Sequence, residues 1–568
     1  MCCRRGWFPL AWTSLFFYDI MRMTLSSVLA IGLVLSAISC EKAPITEDNS
    51  KLEQEKKDKE VAELLSQVKS SKPINTFDEK ATWYYTMGPD ANSSLAKFSR
   101  KIVTGNKVEG TGAFVFSYSF SGMSRNDAQE KVFFQHKFGD FRPDLSFEPL
   151  GVSMWIRGHR TNKGTFRFVL LHDDKLYPDN YTIRQTFEYS DPDILKCEDW
   201  TRLVIPYSWF KNYDYGEGEL ELSHVIGYRI EIVNEEGKEA QNCEFLIDNL
   251  EQLTSYEPQY TPARFSSLFI QLNKVYENYD WDWAFQSCQE AGIDTWIIQY
   301  TVGYGSENNV CWYQNCNLDW VSTKYHIVDD MVATAEKLGF KLIFGLNGGE
   351  YSRTNSQDQA VYDNLVEKNK LVVDELVANF GDSPCFAGWY ITEEFHDGTW
   401  PVGWQQDKAR EMLGDYLNRV GEYAKSKIDL PVSIAPALWR GMPAKLCGEW
   451  FEKLFDGTPN IDVLYLQDCA GRGPATITSI EVDLPNYYNE IKKACDKTGV
   501  KFGVDVESFM DCYSPSIPYE AKKWDYLKRQ LEMAGNYTDY ITNFSWATFK
   551  PGSGAFKQYS EYVKTLAN

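Results

Sequence analysis

Phe386-Ala387-Gly388-Trp389-Tyr390-Ile391-Thr392-Glu393-Glu394 is a short apolar and aromatic run that stops on two carboxylates. A run of this length, flanked by amphipathic segments, reads as a buried parallel strand between two helices. The alternation repeats on both sides of it. Strand-like runs fall at 268–272, 295–300, 341–346, 386–391, 432–436, 463–466, 502–506 and 540–544. Helical runs fall between them, for example at 325–337, 361–378, 408–426, 484–497 and 519–534, with apolar spacing clear in Ile327, Met331, Ala335 and Leu338. Eight strand–helix units over 262–568 predict a (β/α)₈ TIM barrel, because parallel strands need crossovers and closure removes the sheet edges. A doubly wound open sheet is the alternative. No GxGxxG or GxxxxGK[ST] follows a strand, which argues against nucleotide binding.

Upstream the pattern changes. Over 75–256, runs such as Ala113–Phe120, 151–156, 165–171, 201–206, 227–232 and 243–248 are rich in β-branched and aromatic residues and separated by Gly, Asp, Asn and Pro. Many short strands without helical periodicity predict an antiparallel sandwich. Residues 41–74 hold no aromatic residue and 15 charges, which reads as a solvated, flexible tether. At the N-terminus, Arg22 precedes an uncharged apolar run, Thr24 to Ser39, that ends in Leu35-Ser36-Ala37-Ile38-Ser39-Cys40. A basic start, an apolar core and small residues before the cut describe an export signal over 1–40. The apolar run is about 15 residues, short of the roughly 20 that span a bilayer.

Composition narrows the function. The formal charge of −22 opposes a nucleic-acid partner, which needs a basic face, and opposes electrostatic docking on anionic membranes. Trp, Tyr and Phe make up 15% of the chain, enough for large β cores and also suited to stacking on sugars. The cysteines show no CxxC spacing and the six histidines no HExxH, so neither structural zinc nor metal hydrolysis is indicated. Cys311 and Cys316 are close enough for a disulfide, with free buried thiols the equal alternative. No GxSxG elbow anchors a serine nucleophile.

Catalytic groups of such a barrel lie where its strands end. There the sequence places Gln271, Gln299 and Tyr300, Asn347 and Glu350, Tyr390 with Glu393 and Glu394, Trp439, Gln467 with Asp468, Asp505 with Glu507, and Trp546. Amides, aromatics and carboxylates with few cations suit an uncharged, hydroxyl-rich ligand. Successive strand residues face opposite ways, so Glu393 and Glu394 are alternatives unless a bulge turns both inward, and Asp505 competes with Glu507 on one face.

Trp389-x-x-x-Glu393-Glu394 resembles the W-x-x-x-N-E of the large superfamily of retaining (β/α)₈ glycoside hydrolases, with Glu393 standing where that superfamily has Asn. The resemblance implies an acid/base at Glu394, a nucleophile at Glu507 and an aromatic platform at Trp546. It implies a glycosidase acting on an oligo- or polysaccharide with two carboxylates and no catalytic cofactor. Gly388 to Glu394 also resembles an uncharacterised family of secreted bacterial barrels, a domain of unknown function. Glu109-Gly110-Thr111-Gly112-Ala113, Trp200 to Pro206 and Phe245 to Leu250 resemble a carbohydrate-binding, galactose-binding-like jelly roll, which implies a structural calcium at Asp248. The end of the leader resembles a bacterial lipobox, implying a lipid on Cys40 and an exported, membrane-anchored protein, which is expected to be a monomer. A non-catalytic, cell-surface glycan-binding lipoprotein is the alternative, and a surface scaffold component a further one.

Overall fold

The computed structural model describes residues 47–78, 97–122, 130–138, 143–173, 183–214, 216–303, 309–348, 358–396, 406–438, 442–471, 477–511 and 519–566. Two compact units divide the chain, residues 1–58 and residues 59–568. Among the described residues no helix is long and apolar enough to cross a membrane. The leader with Cys40 lies outside the described residues, as do Glu350 and Trp439.

The C-terminal part is a closed barrel of eight parallel strands in sequential order. These are β1 (Ser267–Ile270), β2 (Thr295–Ile298), β3 (Lys341–Gly345), β4 (Phe386–Ile391), β5 (Val432–Ile434), β6 (Val463–Gln467), β7 (Lys501–Glu507) and β8 (Ile541–Phe544). A helix follows each: α1 (Trp281–Glu290), α2 (Ile327–Leu338), α3 (Gln359–Phe380), α4 (Gln406–Lys427), α5 (Ala444–Asp456), α6 (Ile477–Thr498), α7 (Trp524–Ala534) and α8 (Phe556–Leu566). Local chemistry sets the helix ends. Asp280 accepts the Trp283 N–H at 2.9 Å and caps α1. Gly339 closes α2 in the left-handed region at φ 69°, returning its N–H to Ala335 and Glu336.

The period-two alternation sorts every barrel strand. Leu268, Trp296, Phe344, Trp389, Ile434, Leu466, Val504 and Ile541 point outward into the core shared with the helices. Phe269, Ile297, Tyr390, Ala435, Val463, Tyr465, Ile343 and Phe544 point inward and fill the barrel. The lumen is therefore packed, and a site can exist only at one end of it.

The upstream region is a two-sheet antiparallel sandwich. One sheet runs Lys97–Val103, Ala113–Phe120, Ala240–Thr254, Pro149–Arg157, Thr201–Pro206, and the other Lys131–Lys137, Val225–Val233, Thr165–His172, Gln185–Asp191, Lys211–Asn212. Phe114, Phe116, Phe120, Phe134, Phe166, Phe168 and Phe245 are buried between them, so much of the aromatic content is core.

The charged segment, read as a solvated tether, is described from Glu47 onward and is mostly exposed up to Gln67. A helix spans Glu47–Gln67, and Ser70–Asn75 is a strand paired with residues 250–254 of the sandwich. The sandwich thus begins at Ser70 rather than 75. Lys72, which reads as one more solvated charge, is buried. Its Nζ donates at 2.7 Å to Asp483 Oδ1 on α6 and at 2.7 Å to the carbonyl of Asp144. Asp144 in turn accepts from Ala444 N at 2.9 Å and Asn486 Nδ2 at 3.2 Å, so the sandwich and barrel share a charged clamp. Removing one member of a buried pair leaves the other's charge desolvated without that partner. Lys72→Met is therefore expected to cost roughly 3 kcal/mol, read as an earlier unfolding midpoint in denaturant.

Candidate active site

A cleft of about 770 Å³ of empty space opens where the barrel strands end. Its wall carries Gln271 and Gln299 beyond β1 and β2, Glu394 beyond β4, Gln467 and Glu507 at the ends of β6 and β7, and Phe544 of β8. Cys469, Phe509, Ser545, Ala437, Ala547 and Thr548 complete it. Among the described residues, Glu394 and Glu507 are the two carboxylates on this wall.

Strand parity decides between the neighbours on β4. Trp389 and Ile391 face the helices and Tyr390 faces the lumen. Continued past the strand, that alternation sends Glu393 outward and Glu394 inward. Glu393 is buried and accepts a hydrogen bond from the Tyr416 hydroxyl on α4. Tyr416 also receives one from Asn369 Nδ2 at 3.2 Å, and Asn369 Oδ1 takes the Asn347 N–H at 3.1 Å. Glu393 is thus a wall residue tying β4 to α3 and α4, away from the cleft. This corrects the expectation that it competes as a catalytic carboxylate.

Glu507 is held from several sides. Its Oε2 accepts the Gly471 N–H at 2.6 Å. A side chain at 471 would bring its Cβ within 2.8 Å of that oxygen and 2.5 Å of the Phe509 carbonyl, so the contact requires glycine. Asp468 Oδ1 accepts the Glu507 N–H at 3.3 Å and the Ala470 N–H at 3.0 Å. Asp468 Oδ2 accepts from Gln530 Nε2 at 2.6 Å. Behind the strand, Lys522 Nζ donates to the Glu507 carbonyl at 2.8 Å and to Gln530 Oε1 at 2.8 Å. Burial raises the Asp468 carboxyl above its ordinary range against the opposing charge of Lys522.

Asp505 shares a face with Glu507 but lies one layer deeper, opposite Thr542 on β8 and Gln467 on β6. It is fully buried and both of its oxygens lack a protein hydrogen-bond partner. Burial first, then the charges of Asp468, Glu507 and Glu394, push its carboxyl well above the usual carboxylate range. Asp505 therefore sits under the cleft floor rather than on its wall, with its protonated form favoured. The folded chain keeps this proton above pH ~4 while the unfolded chain releases it. The wild type consequently loses stability as pH rises from about 4 towards the folded value. Asp505→Asn is expected to escape that loss and gain on the wild type by about 1.4 kcal/mol per pH unit in the window, checked by chemical unfolding at stepped pH.

The remaining expected site residues divide. Gln271, Gln299 and Gln467 line the cleft; Gln467 donates to the Ala435 carbonyl at 2.7 Å, and Gln299 Oε1 has no protein partner. Asn347 points inward at the end of β3, buried, with both amide atoms lacking partners. Three aromatics are corrections. Tyr300 belongs to the outward row of β2, and its hydroxyl donates to the Leu272 carbonyl at 3.2 Å. Tyr390 fills the lumen beneath the cleft against Phe269, with centroids 5.3 Å apart. Trp546 is fully buried, packed against Trp296 with centroids 4.9 Å apart and planes tilted by 47°, and donates to the Tyr279 hydroxyl at 3.1 Å, so it is no platform for a ligand. His396, just past Glu394, is half-buried, and burial lowers its pKa to about 4. Sequence reasoning missed Lys522 and Gln530, and the apolar wall given by Phe509 and Phe544.

Asp248, expected as a calcium ligand, is buried in the sandwich, and its Oδ1 has no protein hydrogen-bond partner. Its Oδ2 accepts the N–H groups of Val108 at 2.6 Å and Glu109 at 3.1 Å. Among the described residues no group of three or more His, Cys, Asp and Glu side chains is arranged to hold a metal ion. Cys311 and Cys316 are both buried free thiols.

Fold and site together define a (β/α)₈ barrel protein with an uncharged-amide and twin-carboxylate cleft, preceded by a β-sandwich. Residues 267–555 match the family model described as "Domain of unknown function (DUF4434)", just over half of the chain, and the protein belongs to that family. No curated protein matches the chain. Among solved structures it is similar to a "putative alpha-L-fucosidase" from Bacteroides thetaiotaomicron, at 24% identity and TM-score 0.42 over 54% of this chain and 95% of that one. It is similar to the family 11 carbohydrate-binding module of a cellulosomal cellulase of Clostridium thermocellum, at 18% identity and TM-score 0.24 over 33% of this chain and 95% of that one. An intracellular xylanase from Thermoanaerobacterium saccharolyticum matches at 14% identity and TM-score 0.30 over 50% of this chain and 85% of that one.

Proposed function

We propose that the protein is a glycoside hydrolase that cleaves an oligo- or polysaccharide with two carboxylates, Glu394 and Glu507. The observation that carries this reading is their shared position on one cleft wall, brought there from β4 and β7, while Glu393 and Asp505 are turned away or sunk below. Glycoside cleavage needs one proton donor at the leaving oxygen and one carboxylate at the anomeric carbon or its water. In the double-displacement form, a Glu507 oxygen bonds to the anomeric carbon as the bond to the leaving oxygen breaks and Glu394 gives that oxygen its proton. Glu394 then takes a proton from water, whose oxygen displaces Glu507 and releases the sugar. The Gly471 N–H presents one Glu507 oxygen and holds the side chain towards the cleft. Gln271, Gln299 and Gln467 offer amides to sugar hydroxyls, and Phe509 and Phe544 offer apolar faces to C–H groups.

The same reading makes the chain an exported lipoprotein anchored through Cys40 and monomeric, its catalysis needing no cofactor. The sandwich is then a galactose-binding-like jelly roll that presents glycan to the barrel. The test is a panel of 4-nitrophenyl glycosides covering the common pyranosides and pentosides in both anomers. Release of nitrophenolate from at least one is expected. Saturable sugar binding with no release from any would mark a glycan-binding lipoprotein instead.

A further inference from the structure

Behind Glu507, on the side away from the cleft, the chain builds a closed network of buried charge that the two-carboxylate reaction does not itself require. Phe509–Asp511 pairs antiparallel with Tyr519–Ala521, a stretch whose sequence reads as the start of a helix. That pairing ends at Lys522, whose N–H bonds the Ser508 carbonyl at 2.8 Å and whose side chain is pinned beside β7. The ammonium donates to the Glu507 carbonyl and to Gln530 Oε1, each at 2.8 Å. The other end of the Gln530 amide reaches Asp468, and Asp468 returns to the Glu507 N–H. The ring thus grips Glu507 by both of its backbone groups, and every member side chain is buried.

We propose, on the reading of Glu507 as the nucleophile, that Lys522 is a positioning residue: its ammonium, locked by Gln530 and Asp468, keeps the Glu507 backbone and so its carboxylate in reactive register, and releases that hold when it loses its proton. The backbone grip matters because a carboxylate swings with the strand end that carries it, and a displacement of about 1 Å from reactive geometry costs on the order of 10²-fold in rate. A neutral amine keeps two N–H donors for the Glu507 carbonyl and Gln530 Oε1, but it no longer balances Asp468, and the ring then carries uncompensated buried negative charge that loosens the grip.

The groups facing Lys522 are Asp468 and Cys469 from the end of β6, Glu507 from β7, and the Tyr526 ring of α7 at 5.0 Å. Burial pulls the Lys522 pKa down to about 8, against the charges of Asp468, Glu507 and Cys469, which hold it up. Release therefore falls just above neutral pH. Asp468 is the largest of the opposing influences, so removing its charge moves the release to lower pH.

The test separates Lys522 from the acid/base by using 2,4-dinitrophenyl glycosides, whose leaving group needs no protonation, in the Glu394→Gln background. There the rate of glycosylation is expected to fall tenfold or more through pH ~8. Adding Lys522→Met is expected to lower that pre-steady-state glycosylation rate about tenfold at pH 7, with the substrate concentration for half-maximal rate within twofold, and to abolish the alkaline fall. Adding Asp468→Asn instead shifts the fall to lower pH, and serves where the Lys522 variant does not fold. A second arm reads the ammonium without activity. Between pH 8 and 10.5 the unfolded lysine holds a proton the folded one has released, so the wild-type melting temperature should rise relative to that of Lys522→Met across this window. Profiles of Lys522→Met and its parent that coincide in shape, whatever the rate, overturn the positioning role alone. Absence of turnover with every dinitrophenyl glycoside in the wild type overturns the glycosidase reading and this role with it.

Discussion

Glu507→Gln lowers turnover by roughly 10⁴-fold or more, about 5.5 kcal/mol of transition-state stabilisation, with an unchanged melting temperature. The amide keeps the shape of the side chain and an oxygen that can accept the Gly471 N–H, so the fold has no reason to respond. What it removes is the nucleophilic anion. Because the substitution spares the binding wall of Gln271, Gln299 and Gln467, KM should move little while kcat collapses. Steady-state kinetics on the best nitrophenyl glycoside, with circular dichroism of the variant, reads both. Retained turnover in the folded variant would take Glu507 out of the chemistry.

Glu394→Gln acts differently. The amide cannot give up a proton at the leaving oxygen, and general acid–base assistance is worth about 10²–10⁴-fold. The loss should be near the upper end for natural sugar leaving groups and small for the first step with 2,4-dinitrophenolate, which departs unassisted. The second step then slows, because water loses its base, and the glycosyl-enzyme accumulates. A pre-steady-state burst with dinitrophenyl substrates is the expected signature. Equal losses on good and poor leaving groups would instead place Glu394 in substrate binding.

The strands were readable because their apolar runs are short, β-branched and repeated eight times, and every one of the eight runs overlaps an observed strand. The same alternation carries the site. Glu394 follows Tyr390 at even spacing and Glu507 follows Asp505, so each pair shares a face. Applied to β2, the rule also excludes Tyr300, which lies in register with the outward Trp296 and Ile298. Trp546 lies past the strand, where period two lapses, and only packing with Trp296 shows it is core. Lys72 and Lys522 were hidden for a common reason. Lysine is almost always solvated, and its burial here depends on partners 411 and 15 residues away, Asp483 and the Glu507 carbonyl, that no local pattern reveals. Tyr519–Ala521 looked helical because its neighbours are, while the tertiary pairing with Phe509–Asp511 makes it a strand. The charged segment before the sandwich looked solvated because a single edge strand containing Pro73 carries little strand signal.

The central claim is that Glu507 bonds covalently to sugar. It is tested most directly by incubating the protein with activated 2-deoxy-2-fluoroglycosides matched to the turned-over nitrophenyl glycoside, followed by intact mass and peptide mapping. The account predicts stoichiometric inactivation and one glycosyl adduct on the peptide bearing Glu507, absent in Glu507→Gln. An adduct on Asp505 or Glu393, or continued turnover with no adduct and inverted product configuration, would contradict it.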